Sequence, residues 1–161
     1  MKIRIGHGID VHKLAPNIPL ILGGIHIPSE IGIDGHSDGD AVIHALVDAI
    51  LGALSLGDIG TYFSSRNLEF KNANSLKFLE FANQKLQENN FNIENIDINI
   101  ILESPKINQH INKMKISLSA ILNININDIS IKATTTDKLG YIGSKKGIMT
   151  TATILIKANE S

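Results

Sequence analysis

The chain has 161 residues, 43% of them hydrophobic and 19% charged, with a formal net charge of -1, no cysteine and no tryptophan. That length corresponds to one domain, taken as residues 1–161, with enough chain to bury a core without staples. The near-neutral charge argues against a phosphate-backbone partner and the scarce aromatics against base-stacking platforms, so no nucleic-acid partner is expected.

Without cysteine there can be no disulfide, thiol nucleophile or thiolate zinc site, and any metal must be held by His, Asp or Glu. No apolar run of about 18 residues and no signal peptide is evident, which predicts a soluble, cytoplasmic chain with no membrane partner.

Lys2 to His12 alternates with period two and reads as a strand. Ile3, Ile5, His7, Ile9 and Val11 fall on one side, and this apolar side is expected to pack on helices. Gly6, Gly8, Asp10 and His12 fall on the other, where the glycines let a backbone or ligand approach closely. His7 is read as a structural histidine. Leu20 to Leu22 and Ile25 to Ile27 flank Gly23-Gly24, a hairpin signal. Glu30 to His36 reads as a glycine-bearing loop, followed by Ser37 and Asp38, either of which can cap a helix. Ala41 to Leu56 is apolar nearly all round and predicts a buried helix, broken at Gly57-Asp58-Ile59-Gly60.

Thr61 to Asn74 is polar and reads as an irregular surface loop. Ser75 is expected to cap a helix running to about Glu88. Ile96 to Glu103 is a predicted strand ended by Ser104-Pro105, and Gln109 to Leu122 a second amphipathic helix. Asp128 to Thr136 and Met149 to Lys157 are further strands joined by the loop DKLGYIGSKKG. Without strict βαβ alternation, this order predicts an α+β fold with helices on one face of a sheet, in a ferredoxin-like arrangement. The other face should hold polar residues or meet another subunit.

Chemistry concentrates in two stretches. In the first, Asp40, His44 and Asp48 recur every four residues along one helix face. Asp10, His12 and His44 are the candidate metal ligands, because a D-x-H pair on a strand aims two donors one way and a helical histidine completes a triad. Three N/O ligands with an open position describe catalytic zinc, which acts as a Lewis acid toward phosphate oxygen. Asp40 either orients the free ring nitrogen of His44 or offsets the helix macrodipole. Asp48 serves the same face or a buried hydrogen-bond network. Asp58 is read at the end of a helix, where a negative charge is disfavoured, which favours a ligand-binding role. The second stretch, KATTTDKLGYIG from Lys132 to Gly143, places three threonines and Asp137 where a strand enters a glycine loop. Hydroxyls beside a carboxylate suit a phosphate with a hard cation such as Mg2+.

The segments GHGIDVHKL, HSDGDAVIHALVDAILGALSLGDIG, ESPKI and KATTTDKLGYIG, in this order from Ile3 almost to the C-terminus, closely resemble the 2-C-methyl-D-erythritol 2,4-cyclodiphosphate synthase family of the non-mevalonate isoprenoid pathway. The resemblance implies a homotrimeric lyase with active sites at subunit interfaces. Its substrate is 4-diphosphocytidyl-2-C-methyl-D-erythritol 2-phosphate, a cytidine diphosphate compound, and it releases CMP. It implies Zn2+ on Asp10, His12 and His44, with His36 and Thr135 as transition-state stabilisers. Substrate contacts are implied for Asp10, His12, His36, Ser37, Asp58, Ile59 and Gly60. Leu102, Glu103, Ser104, Pro105, Lys106, Ile107 and Asn108, with Thr134, Thr135, Thr136 and Asp137, would hold the cytidine end. Asp137 would ligate a second cation, Mg2+ or Mn2+, and Tyr141 is carried over as a substrate neighbour. The chain departs from the family pattern at Ser64-Ser65-Arg66-Asn67, where a proline and aspartates are usual, and at Ser144, where an arginine is common. On the residues alone, a zinc phosphoesterase and a non-enzymatic trimeric metal-binding module remain alternatives.

Overall fold

A computed structural model of the chain describes residues 2–159. Strand β1 (Ile3–Pro16) is followed by the hairpin β2 (Leu20–Leu22) and β3 (Ile25–Ile27), then β4 (Ile31–Asp34). The helices are α1 (Ala41–Leu54), the short α2 (Ile59–Tyr62), α3 (Leu76–Glu88), α4 (Ile111–Leu122) and the single turn α5 (Gly140–Gly143). Strands β5 (Phe91–Ile101), β6 (Ile129–Thr134) and β7 (Gly147–Ala158) complete the set. The main sheet has the order β4-β1-β7-β5-β6, antiparallel except for the parallel β5–β6 pair. The fold is mixed α+β, with a sheet covered by helices on one face.

The hairpin forms where expected, because Gly23 and Gly24 both take positive φ (59° and 74°), the turn whose twist suits two short strands. Helix α1 is buried nearly all round, between β1 and β7 on one side and α3 on the other. Its apolar residues join Ile96, Ile98 and Ile100 of β5, Ile148, Ile154 and Ile156 of β7, and Leu79, Leu86, Met114 and Leu118 in one contiguous core.

The expected orientation of β1 is reversed. Ile3, Ile5, Ile9 and Val11 are 48%, 70%, 50% and 50% exposed, while Gly6 and Gly8 are buried beneath α1. A Cβ at Gly6 would lie 1.8 Å from the Ala49 carbonyl oxygen, and one at Gly8 would lie 1.9 Å from that of Ala45. The helix backbone therefore rests directly on the strand backbone, which only glycine permits. Alanines at 45, 49 and 53 present the matching smooth surface on α1. The apolar side lies on the open face of the sheet instead.

Other boundaries also shift. The segment from Glu30, expected as a loop, contains β4, which pairs with the end of β1 from Lys13 to Pro16. Strand β5 begins at Phe91, five residues before the expected Ile96, and absorbs the polar stretch with a register shift between Ile93 and Asn95. The helix cap is Asp40, not Ser37 or Asp38. Within the expected irregular loop lie the second half of α2 and a 3-10 turn at Leu68–Phe70.

Candidate active site

The close contact of β1 with α1 builds the first half of the site. Two residues beyond Gly8, Asp10 meets the first turns of α1, where His44 lies, and His12 follows on the same strand face. Asp10 Oδ1 is 3.8 Å from His44 Nδ1, and Asp10 Oδ2 is 2.5 Å from His12 Nδ1. One ligand atom from each of the three lies within 4.8 Å of the others, and all three side chains are half-buried. Two donors of one tetrahedral zinc stand about 3.4 Å apart, given metal–ligand distances of about 2.1 Å. The Asp10–His44 spacing is near that value, and sharing an ion requires the Asp10–His12 pair to open by about an ångström. The donor set fits a divalent cation.

The electrostatics agree. Burial works to raise the Asp10 pKa, but the hydrogen bond with His12 and the positive charge that the nearby His12 and His44 rings can carry outweigh it and hold the carboxyl below its ordinary value. Burial works to lower the His44 pKa, and the Asp10 carboxylate outweighs it in turn, raising it. The cluster stabilises positive charge at its centre, as a cation site must.

The triad opens into a cavity of about 260 Å3 whose wall also includes His36, Ser37, Ile59 and Gly60. His36 Nε2 donates to the Asn67 carbonyl (3.1 Å), and Ser37 Oγ lies 3.1 Å from His44 Nε2. Four further lining residues, Phe63, Ser65, Phe70 and Phe78, were not anticipated. Four of the five phenylalanines fall between positions 63 and 81, which was the available signal. Phe63 stacks on Phe78 with ring centroids 4.3 Å apart and meets Phe70 edge-on, so the segment after α2 is pinned by aromatic contacts.

Of the two readings of Asp40, the helix terminus is the one the geometry takes. Its carboxylate is fully buried and accepts from the backbone N–H groups of Val42, Ile43, Gly23 and Gly24. It thus caps α1 and ties the β2–β3 turn to it, with no hydrogen bond to the His44 ring. Burial pushes its pKa up to about 6. Asp48 accepts from the Ile59 N–H at 2.7 Å, so it anchors the start of α2, and its pKa is raised chiefly by burial. Asp58 does not sit in the last turn of α1, which ends at Leu54. The chain reverses there and Asp58 caps α2, accepting from Thr61 N and Oγ1. Those bonds lower its pKa.

The second half lies across the sheet. Another cavity of about 260 Å3 is lined by Leu102, Glu103, Pro105, Lys106, Ile107, Asn108 and Ala133 to Thr135. The Ser104–Pro105 peptide is cis. In register, Val11 of β1 aligns through Met149 and Ile101 with Thr134, three strand spacings or about 14 Å away. The two cavities share no lining residue. Thr136, Asp137 and Tyr141 line neither: Thr136 Oγ1 donates to the Leu139 carbonyl, Asp137 is exposed with φ of 53°, and the Tyr141 ring lies over Gly147. The structure therefore does not bring Asp137 to the triad within one chain.

Residues 3–157 match the YgbB family. The chain belongs to that family. It is 52% identical over 157 residues to a 2-C-methyl-D-erythritol 2,4-cyclodiphosphate synthase of Francisella philomiragia subsp. philomiragia, covering 97% of this chain and 99% of the relative. A synthase of the same name from Shewanella halifaxensis is 49% identical over 156 residues, covering 97% and 98%. Among solved structures, the IspF of Plasmodium falciparum in complex with CDP superposes with a TM-score of 0.88 at 40% identity, over 98% of this chain and 97% of that one. The bifunctional IspDF from Campylobacter jejuni gives a TM-score of 0.95 at 41% identity, over 99% of this chain and 43% of that longer protein.

Proposed function

We propose that this YgbB-family chain is a lyase that cyclises 4-diphosphocytidyl-2-C-methyl-D-erythritol 2-phosphate to 2-C-methyl-D-erythritol 2,4-cyclodiphosphate and releases CMP. The observation that carries the reading is the Asp10–His12–His44 cluster, set in a cavity of a chain that matches synthase relatives over nearly its whole length.

The 2-phosphate is already a nucleophile, so the site needs no general base for attack on the β-phosphorus. The protein must bring two anionic groups together and stabilise charge on the leaving CMP. Asp10, His12 and His44 are the proposed zinc ligands; a Zn2+ held there supplies Lewis acidity toward a phosphate oxygen. His36 and Ser37 flank the same cavity and would contact the diphosphate, with His36 stabilising the transition state. The Ile59–Gly60 backbone, anchored by Asp48, forms the facing wall. Thr134 and Thr135, with the Leu102 to Asn108 segment, would hold the cytidine end, and Thr135 would be the second stabiliser. Asp137 would reach a Mg2+ or Mn2+ on the diphosphate.

The separation of the two cavities supports a site completed between subunits, and the homotrimer is part of this proposal. The exposed Ile3, Ile5, Ile9 and Val11 support it too, because a contiguous apolar patch of this kind marks an interaction surface. One domain over residues 1–161 with a ferredoxin-like sandwich belongs to the same reading, supported by the single contiguous core. No helix among the described residues is long and apolar enough to cross a membrane. We place the enzyme in the cytoplasm on the ground that its charged substrate is water-soluble.

The test is a CMP-release assay on purified zinc-loaded protein with the diphosphocytidyl substrate, with the second product identified. A cyclic diphosphate is expected. A linear phosphate product would indicate a zinc phosphoesterase, and no turnover with bound metal would indicate a binding module.

A further inference from the structure

Ser75 immediately precedes α3 and is fully buried, yet its hydroxyl does not cap the helix. Asn74 Oδ1 takes the Leu76 N–H at 2.9 Å instead. The Ser75 hydroxyl makes a short hydrogen bond to Asp38 Oδ1 and lies 3.0 Å from His44 Nε2. Asp38 is held in place in turn, accepting from Ser75 N at 3.0 Å and from Asp40 N at 3.2 Å.

A serine hydroxyl has one proton to give, and a carboxylate can only accept. The Ser75 proton therefore goes to Asp38, and the Ser75 oxygen faces His44 Nε2 as an acceptor. A bare Nε2 at 3.0 Å would set two lone pairs against each other, so Nε2 carries the hydrogen. Ser37 Oγ, 3.1 Å away and itself accepting from Gly39 N at 3.3 Å, shares that hydrogen. The other ring nitrogen, Nδ1, then keeps its lone pair, and it is the atom 3.8 Å from Asp10 Oδ1. We propose that Asp38 and Ser75 are positioning residues that select the Nε2–H tautomer of His44 and so present Nδ1 as a metal ligand.

This rests on the reading of the triad as a metal site. It also gives the DGD segment two separate duties: Asp38 serves the histidine, and Asp40 serves the helix. Hydrogen-bond partners behind ligating histidines fix ring orientation and tautomer, and their loss typically costs about 10- to 100-fold in metal affinity.

The experiment combines two measurements on the full chain. Long-range proton–nitrogen correlation spectra of 15N-labelled, metal-free protein, at a pH where the ring is neutral, report the His44 tautomer. Chelator competition then gives the zinc dissociation constant of the wild type, Ser75→Ala and Asp38→Asn, with thermal melts to verify folding. The wild type should show the Nε2–H tautomer. Both variants should show a tautomer mixture and weaken zinc by roughly 10- to 100-fold. An Nδ1–H tautomer in the wild type overturns the proposal, as do folded variants that bind within about twofold of the wild type. A wild type that takes up no zinc defeats the metal reading, and this inference with it. Should Ser75→Ala not fold, the wild-type tautomer and Asp38→Asn still decide.

Discussion

The two faces of β1 differ in a way that inverts ordinary reading. One carries Ile3, Ile5, Ile9 and Val11 and is bare; the other carries Gly6 and Gly8 and lies under the most buried helix of the chain. The apolar face has the side chains, but the glycine face has the closest packing. That closeness puts Asp10 and His44 within 3.8 Å of each other. The candidate metal cluster is thus a consequence of a strand–helix contact with no side chains between the backbones, while the apolar face is left uncovered within the chain and is the surface on which the proposed trimer would form.

The largest expected effect tests what the glycine face supports. Asp10→Asn and His44→Ala should lose zinc and lower CMP release by on the order of 10^3-fold, while trimer formation persists in size-exclusion chromatography with light scattering. Undiminished CMP release from metal-free variants would sink the zinc mechanism. Next comes the contact itself. Gly8→Ala places a Cβ 1.9 Å from the Ala45 carbonyl oxygen, so α1 must move. We expect a loss of about 3 kcal/mol, seen as a fall in Tm of roughly 10 °C, together with weaker zinc binding because His44 moves with the helix.

Asp40→Ala should cost about 2 kcal/mol by urea denaturation, from the lost cap and from the buried N–H groups of Gly23 and Gly24 left without partners. The pH dependence sharpens the comparison further. The His44 pKa is raised, so its contribution is fully present below its ordinary 6.5 and is lost as pH rises through the folded-state value. Asp10 is lowered, so its contribution is present above 3.8 and is lost as pH falls through its depressed value. Asp40, raised to about 6 by burial, acts in the same direction as His44. Chelated protein should therefore melt at a higher temperature at mildly acidic pH than at alkaline pH, where the His44 contribution is lost. Zinc-loaded protein should show the opposite trend, because the metal competes with the proton for His44.

The smallest intrachain effect belongs to the bare face. Ile5→Asp should change the stability of the isolated subunit by within about 0.5 kcal/mol, yet abolish the trimer in light scattering. A large loss of subunit stability would show that this face packs within its own chain.

Most elements were legible because their signals are local. The Gly-Gly hairpin, the all-apolar α1 and the period-two strand β1 need only neighbouring residues to be read. The candidate ligands were legible as types: with no cysteine, Asp10, His12 and His44 were the donors whose spacing could converge. Less legible was anything set by a distant partner. Strand β4 has no pattern of its own and exists because the end of β1 offers it an edge. Asp58 reads as the misplaced end of one helix until the chain reverses and makes it the start of another. Ser75 reads as a helix cap, and only the fold brings Asp38 and His44 within reach of its hydroxyl.

The sequence by itself determined the helix and strand periodicities, the donor types and the family motifs, because each depends on covalent order and side-chain chemistry. Tertiary structure alone decided which face of β1 is inside. Alternation marks two faces without ranking them, and the ranking came from the distance at which α1 can approach, which the missing Cβ atoms of Gly6 and Gly8 set.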